Sequence, residues 1–513
     1  MRKLNAWVAG TSLCVLSAAG GLWLSQEPPS VTPEPSKPLE AASVDSRIEE
    51  LNRWVKEGKG QLSVRVLDVE TGRRVAGVDD ERALNPASNM KVVTAAAALE
   101  LLGPDFNFRT GVYGALNDTH STSLVLRGDG DPSFGMGEIW RLASALVQSG
   151  LRQVDGDILV DQGRFDGQYV PPAFDQQPNE WAYFRAPVSA IALEENTVTL
   201  NVVPTTDGSP ARIWFDPPGF VNVSGQVKTV EKGKGQNVQL RLVPDGNKLR
   251  AELDGRVADS LPRQRFTKRV DDPTLLAGFA LAHALTSLGV DIKGSVKPGG
   301  SGEKRELVHV PSPPLNVLVQ RLGKDSDNFY AEMLFKAIAA HANPGEPSTF
   351  KQAAVQVSQW LAQVTPGTFP APTPAGSSTS GAGAAPSAPQ SADVILNGSG
   401  LFDANRLSAA TLTRVLSHAY RDPRLSAEFV AQLSVGGVDG TLRSRLRKHR
   451  TSRAVRAKTG TLARVVALSG FVLREGKSPL AFSILVNGIT DHAGVRQRMD
   501  RVVDALVELT EQQ

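Results

Sequence analysis

A chain of 513 residues is too long for one hydrophobic core and implies about two to four domains. Its 41% hydrophobic and 21% charged residues are ordinary for a globular protein. The near balance of 56 basic and 53 acidic residues excludes a nucleic-acid footprint, and the single cysteine, Cys14, excludes intramolecular disulfides and a cysteine metal site.

Arg2 and Lys3 precede an apolar run from Ala6 to Ala19, with small residues at Ser17-Ala18-Ala19, so residues 1–24 read as an export signal. The apolar character continues through Leu22-Trp23-Leu24, about the length of a membrane span, so an uncleaved N-terminal membrane anchor stays open. Either way the rest of the chain is expected outside the cytoplasm, in the periplasm. Residues 25–43 hold five prolines among Ser, Glu and Thr and read as a flexible linker.

Pro86-Ala87-Ser88 opens a helix whose Val92, Val93, Ala95–Ala98, Leu99 and Leu102 make a broad apolar surface, stopped by Gly103-Pro104. Ser88 thus lies at a helix N-terminus, where exposed N–H groups favour developing negative charge, and Lys91 lies one turn along the same face. From 114 to 305 the texture changes to short alternating strands, among them Ser123–Arg127, Gly156–Asp161, Thr197–Val203, Arg212–Phe215 and Asn237–Leu242. One clear helix, Pro273–Leu288, comes late in this β-rich insertion. Helical patterns return at Leu315–Leu322, Phe329–Ala340 and Phe350–Val364. The uncharged tract 366–392, with six prolines, cannot bury a core and reads as a disordered surface insertion, followed by a short strand at Val394–Leu396. A strand at Ala454–Ala457 is expected to end at Lys458, followed by strands Val465–Leu473 and Leu480–Asn487. A final amphipathic helix carries Val495, Met499, Val502, Val503 and Leu506. These patterns predict an α+β fold, an antiparallel sheet covered by helices, made from 44–113 and 306–513 and interrupted by 114–305. The cluster Arg443, Arg445, Arg447, Lys448 and Arg450 reads as a solvated face or a wall-polymer contact.

Three short motifs carry the chemistry. Ser88-Asn89-Met90-Lys91 pairs a hydroxyl nucleophile with an amine; Ser326-Asp327-Asn328 is the one Ser-x-Asn in the chain; Lys458-Thr459-Gly460-Thr461 is its one Lys-Thr-Gly. Each has an ordinary structural explanation by itself: a helix cap, a capping turn, an edge-strand lysine. Ser301-Gly302-Glu303-Lys304 shows how weak Ser-x-x-Lys is alone, since it repeats the spacing in a polar, glycine-rich loop. Together and in this order they supply a nucleophile, proton carriers and a cationic anchor, the equipment for attacking a carbonyl carbon near a carboxylate. Gly460 leaves the strand edge bare enough for a ligand backbone to lie along it. There is no Gly-x-Ser-x-Gly elbow, His-Glu-x-x-His or P-loop, and the seven histidines show no ligand spacing, so no metal or cofactor is implied.

The three motifs are shared by β-lactamases and penicillin-binding proteins. Further blocks narrow the resemblance: Leu102-Gly103-Pro104-Asp105-Phe106, Gly128-Asp129-Gly130-Asp131-Pro132, Gly398-Ser399-Gly400-Leu401 and Gly437-Val438-Asp439-Gly440-Thr441-Leu442. Over roughly residues 45–510 the chain resembles the class C low-molecular-mass penicillin-binding proteins, the D-Ala-D-Ala carboxypeptidase/endopeptidases of serine peptidase family S13. The separation of 238 residues from Ser88 to Ser326 carries this distinction, because β-lactamases have a much shorter gap and this family fills it with β-rich inserted domains. The resemblance implies a penicillin-binding catalytic domain and hydrolysis of peptidoglycan stem peptides through a Ser88 acyl-enzyme, with acylation by β-lactam antibiotics. It further implies Lys91 as general base, its pKa lowered by Lys458, and Ser326 as proton donor to the leaving amine. Asn328 would position the substrate amide and Lys91, while Lys458, Thr459 and Thr461 would hold the free carboxylate. The N–H groups of Ser88 and Thr461 would bind the oxyanion. A β-lactamase and a non-catalytic wall-binding or β-lactam-sensing protein are the alternatives. One departure is Asn397, where the family usually has Asp before Gly-Ser-Gly-Leu; Phe402-Asp403 also follows where Ser is common.

Overall fold

Val465–Val472 and Leu480–Asn487 are buried along nearly every position, so neither has a face fit for water and both must be covered on two sides. They form the centre of a six-stranded antiparallel sheet. Its order is Ser434–Val435, Val455–Leu462, Val465–Val472, Leu480–Asn487, Gln61–Asp68 and Arg74–Val78. This computed structural model describes residues 44–176, 182–300, 302–365 and 393–511. The readings made for residues 1–43, for Ser301 and for 366–392 lie outside the described residues. Among those described, no helix is long and apolar enough to cross a membrane.

One face of the sheet is covered by the first and last helices, Val44–Glu57 and His492–Glu511, through Ile48, Leu51, Val55, Val495, Met499, Val502 and Leu506. The other face receives the helix Met90–Leu102, surrounded by Asn328–Ala342, Phe350–Val364 and Ala409–Arg421. Met90 through Leu99 are buried without interruption, which makes this the central helix of the layer, with no polar stripe.

The segment between these parts carries three further sheets. The largest has seven strands and runs Asp291–Ile292, Gln153–Val154, His120–Gly128, Arg109–Asn117 and Glu306–Pro311, with Ile158–Asp161 and Val296–Pro298 attached. Because Arg109–Asn117 pairs directly with Glu306–Pro311, the outgoing and returning chain lie side by side. Three- and four-stranded antiparallel or mixed sheets centre on Thr197–Val203 and Lys248–Ala258.

Several local expectations need correcting. The strand expected to stop at Ala457 runs on to Leu462, because its pairing with the buried strand Val465–Val472 continues through the polar motif. Val394–Leu396 is no strand, only a single bridge from Val394 to Arg406. The β-rich insertion holds a second helix, Met136–Gln148, whose Ile139, Leu142, Ala143 and Leu146 share one core with the late helix, Leu276–Ser287.

Candidate active site

Ser88 lies in a single 3-10 turn, Ala87–Asn89, that runs into the central helix. The turn is held from both ends. Ala87 adopts a left-handed backbone (φ +45°), and the Asn85 side chain accepts from its N–H at 2.9 Å. The Asn89 amide then donates to the carbonyl of Lys458 at 2.9 Å and accepts from Leu468 N and Ser469 on the neighbouring strand. These contacts sew the first motif to the strand that carries the third.

Gly460 explains how close the two come. A Cβ there would sit 3.0 Å from both Pro86 O and Ala87 Cβ and 3.1 Å from Ser88 N. The bare strand therefore accommodates the Pro86–Ser88 turn. The outer edge of this strand is open past the motif's first residue. Ser434–Val435 pairs only with Ala457 and Arg456, so among the described residues no strand pairs with that edge from Lys458 to Leu462.

The structure brings the three motifs together. Lys91 Nζ donates to Ser88 Oγ at 3.1 Å, to Asn328 Oδ1 at 2.7 Å and to the carbonyl of Ser399 at 2.8 Å. Lys458 Nζ donates to Ser326 Oγ at 2.7 Å and to Thr459 O at 2.8 Å. Thr459 Oγ1 donates to Thr441 Oγ1 at 2.7 Å, and Thr461 Oγ1, further along the strand and exposed, accepts from Arg496 at 3.2 Å. Lys458 is fully buried, so its amine faces Ser326 in the interior and Thr461 marks the solvent end of the strand.

Burial controls the charge of both lysines. It pushes the Lys91 amine down to about 7, against the opposing pull of the Glu332 and Asp327 carboxylates. Burial also lowers Lys458 well below the usual lysine range, and the charge of Lys91 lowers it further. Desolvation is thus the first cause of the shift at both lysines.

Glu332 left no recognisable mark in the sequence. The Ser399 carbonyl reaches Lys91 because buried Glu332 accepts from the N–H groups of Gly398 at 2.9 Å and Ser399 at 2.8 Å. Gly400, at φ +73°, lets this loop pass the nucleophile turn, since a Cβ there would lie 1.9 Å from Ala87 O. Asn397 is buried and its amide is fully used. Nδ2 donates to Pro172 O (3.0 Å) and Leu401 O (3.3 Å), while Oδ1 accepts from Gly400 N and Asn405. A carboxylate would face two carbonyls here, which explains the amide at this position. Ser326 takes a left-handed backbone (φ +60°) after a π-helical turn, Arg321–Asp325, and Asp327 caps the helix that Asn328 begins. Asn328 Nδ2 donates to the carbonyl of Phe184, a residue of the inserted segment. Among the described residues no group of His, Cys, Asp and Glu side chains is disposed to hold a metal ion.

The model of the D-Ala-D-Ala carboxypeptidase 3 (S13) family matches residues 42–367 and 390–509. The chain belongs to this family of serine peptidases. It is 32% identical over 457 residues to a D-alanyl-D-alanine carboxypeptidase of Actinomadura sp. (strain R39), covering 84% of this chain and 78% of the relative. To the D-alanyl-D-alanine carboxypeptidase DacB of Haemophilus influenzae it is 24% identical over 456 residues, 86% of this chain and 88% of that one. The crystal structure of penicillin binding protein 4 (dacB) from H. influenzae superposes with a TM-score of 0.69 at 23% identity, over 90% of this chain and 99% of the other. The S13 member described here therefore shares that α+β fold, helices on an antiparallel sheet with a β-rich insertion.

Proposed function

We propose that this S13 enzyme is a DD-peptidase that removes the terminal D-alanine of peptidoglycan stem peptides and cleaves D-alanyl cross-links, and that β-lactams acylate it at Ser88. The observation that carries the reading is the Lys91 amine, 3.1 Å from Ser88 Oγ and brought to about 7 by burial. An amine near neutrality at that pH can accept a proton, whereas an exposed lysine would hold one.

In this reading Ser88 Oγ bonds to the carbonyl carbon of the penultimate D-alanine and gives its proton to Lys91 Nζ. The resulting oxyanion faces the N–H groups of Ser88 and Thr461. As the C–N bond breaks, Ser326 Oγ hands a proton to the leaving amine and is resupplied through Lys458 Nζ, its partner at 2.7 Å. Water then hydrolyses the ester and frees Ser88. Asn328 holds Lys91 by its Oδ1, and the substrate backbone extends along the open edge from Lys458 to Leu462. Thr459 and Thr461 meet the free carboxylate, which both a terminal D-alanine and a cross-linked residue present. The substrate lies outside the cytoplasm, so residues 1–24 would serve to export the enzyme to the periplasm, by cleavage or as an anchor.

The test uses fluorescent penicillin and then purified muropeptides, with wild type and Ser88→Ala. Stable labelling and D-alanine release, both lost in the variant, support the peptidase. Rapid loss of label without D-alanine release makes the protein a β-lactamase. Stable labelling without cleavage makes it a sensor.

A further inference from the structure

Leu193–Asn196 is an unusual piece of backbone. Glu194, Glu195 and Asn196 have φ of +49°, +56° and +52°, three consecutive left-handed residues that each carry a Cβ. Such a run persists only where the surroundings over-determine it, and here they do. Asn196 is buried, its Nδ2 donating to Pro187 O at 2.8 Å and Ser189 Oγ at 3.0 Å, while its carbonyl accepts from Val270 N at 2.9 Å. Glu194 bonds through its N–H to Phe134 O and through Oε1 to Met136 N. Glu195 contributes nothing to this clamp. Its carboxylate points out of the turn to Arg321, at 2.8 Å.

Arg321 begins the π-helical turn that leads into Ser326-Asp327-Asn328, and the same guanidinium nitrogen also donates to Asp327 Oδ2 at 3.1 Å. Asp327 Oδ1 accepts from Tyr330 N, which fixes the turn between left-handed Ser326 and the helix. On either side of Asp327, Ser326 Oγ meets Lys458 and Asn328 Oδ1 meets Lys91. The route from the clamped turn to both proton-handling lysines therefore runs through a single arginine.

We infer that Glu195 is a positioning residue for the reaction: through Arg321 it sets Asp327, and thereby the aim of Ser326 and Asn328, so that the inserted segment controls the proton-transfer half of the site. This rests on the reading of Ser88, Lys91 and Ser326 as a peptidase site. Burial pushes the Glu195 carboxyl up to about 7, the Asp327 charge pushes it the same way, and Arg321 opposes both. The other charged or titratable groups around it are Glu194 on its own turn, Asp325 on the π-helical turn and Tyr330, whose ring lies under Arg321. The sign follows directly. As pH falls through about 7, Glu195 takes a proton and no longer holds Arg321, in the same range where Lys91 takes one and no longer serves as base. Protonation of Lys91 removes the base, and protonation of Glu195 slows the reaction further.

The experiment is the pH profile of acylation by fluorescent penicillin in wild type, Glu195→Gln, Glu195→Asp and Arg321→Met, with circular dichroism to verify folding. Wild type is expected to lose rate on the acid side more steeply than Glu195→Gln, whose log–log slope is one, the extra loss levelling off at about tenfold. At pH 8.5 Glu195→Gln and Arg321→Met each acylate about tenfold more slowly with apparent affinity unchanged, the double variant is no slower, and Glu195→Asp recovers most of the loss. A wild-type acid limb that falls no more steeply than that of Glu195→Gln overturns the inference. So does a folded Glu195→Gln with wild-type rate and slope. If wild type is neither acylated nor able to release D-alanine, the peptidase reading itself falls, an outcome distinct from both.

Discussion

Ser88 and Lys458 sit on regular structure, a helix start and a buried strand, tied by the Asn89 side chain and by the close approach that Gly460 allows. Ser326 is a left-handed residue after a π-helical turn and Asn328 starts the helix that follows, a junction steadied by ion pairs of Arg321 with Glu195 and Asp327 and of Lys324 with Asp439 at 2.8 Å. Packing and sheet register hold the first half and change little with solvent conditions. Partly buried charges hold the second, and those respond to pH and salt. On the proposed roles, the nucleophile belongs to the rigid half, and the groups that would move its protons bridge to the adjustable one.

The largest effect expected is at the bridge. Lys91→Ala removes the amine that touches Ser88, Asn328 and Ser399, and acylation should fall about 10²- to 10⁴-fold by stopped-flow fluorescence. With Lys91 present, acylation should rise as pH climbs through about 7, since only the neutral amine accepts the proton and burial has brought it there. A flat profile between pH 6 and 8 would show that another group is the base.

A smaller effect tests the rigidity of the first half. Gly460→Val must displace the Pro86–Ser88 turn, and a shift of about 1 Å in the nucleophile should slow acylation about 10²-fold. Overpacking should also lower stability by about 1–3 kcal/mol in chemical denaturation. If Gly460→Val acylates normally, the strand and turn are looser than their register implies.

The smallest effect lies behind the site. Asn397→Asp deletes both donors to Pro172 O and Leu401 O and turns a carboxylate toward them, and stability should fall by about 1–3 kcal/mol. Acylation should change only severalfold, because Glu332 still holds the Ser399 loop. Thermal unfolding and label incorporation on the same sample measure the two.

The regular half was the more legible in sequence. Phe350–Val364 is found at its expected bounds because Thr349 and Gln352 form a capping box ahead of an amphipathic run. Leu480–Asn487 also matches, since eight residues of that bulk have nowhere to go but the centre of a sheet. Lys458-Thr459-Gly460-Thr461 misled as to the strand's end because its polarity and glycine mimic a turn, while tertiary pairing overrode them. The helix Met136–Gln148 had a readable period but lay among strand-like neighbours. Of the site, the three motifs are visible because side chains do the work. The Ser399 carbonyl and the contacts of Glu332 are not, since a backbone oxygen has no residue signature and a lone Glu inside an apolar helix has no partner until the chain folds. Glu195 is hidden for the same reason, with its partner 126 positions away.

The pairing of Gln61–Asp68 with Leu480–Asn487 sets a timetable for the enzyme's maturation. Gln61 meets Asn487, so a strand near the start of the chain finds its neighbour only when almost all of it has been made. Contacts of such long separation form late and slowly. Until the strand Leu480–Asn487 and the helix His492–Glu511 arrive, the sheet that carries Lys458 lacks a central strand and one of the two helices that cover its face. Partly made chains and chains cut before Leu480 should therefore be inert toward the wall, and activity should appear in one step on completion.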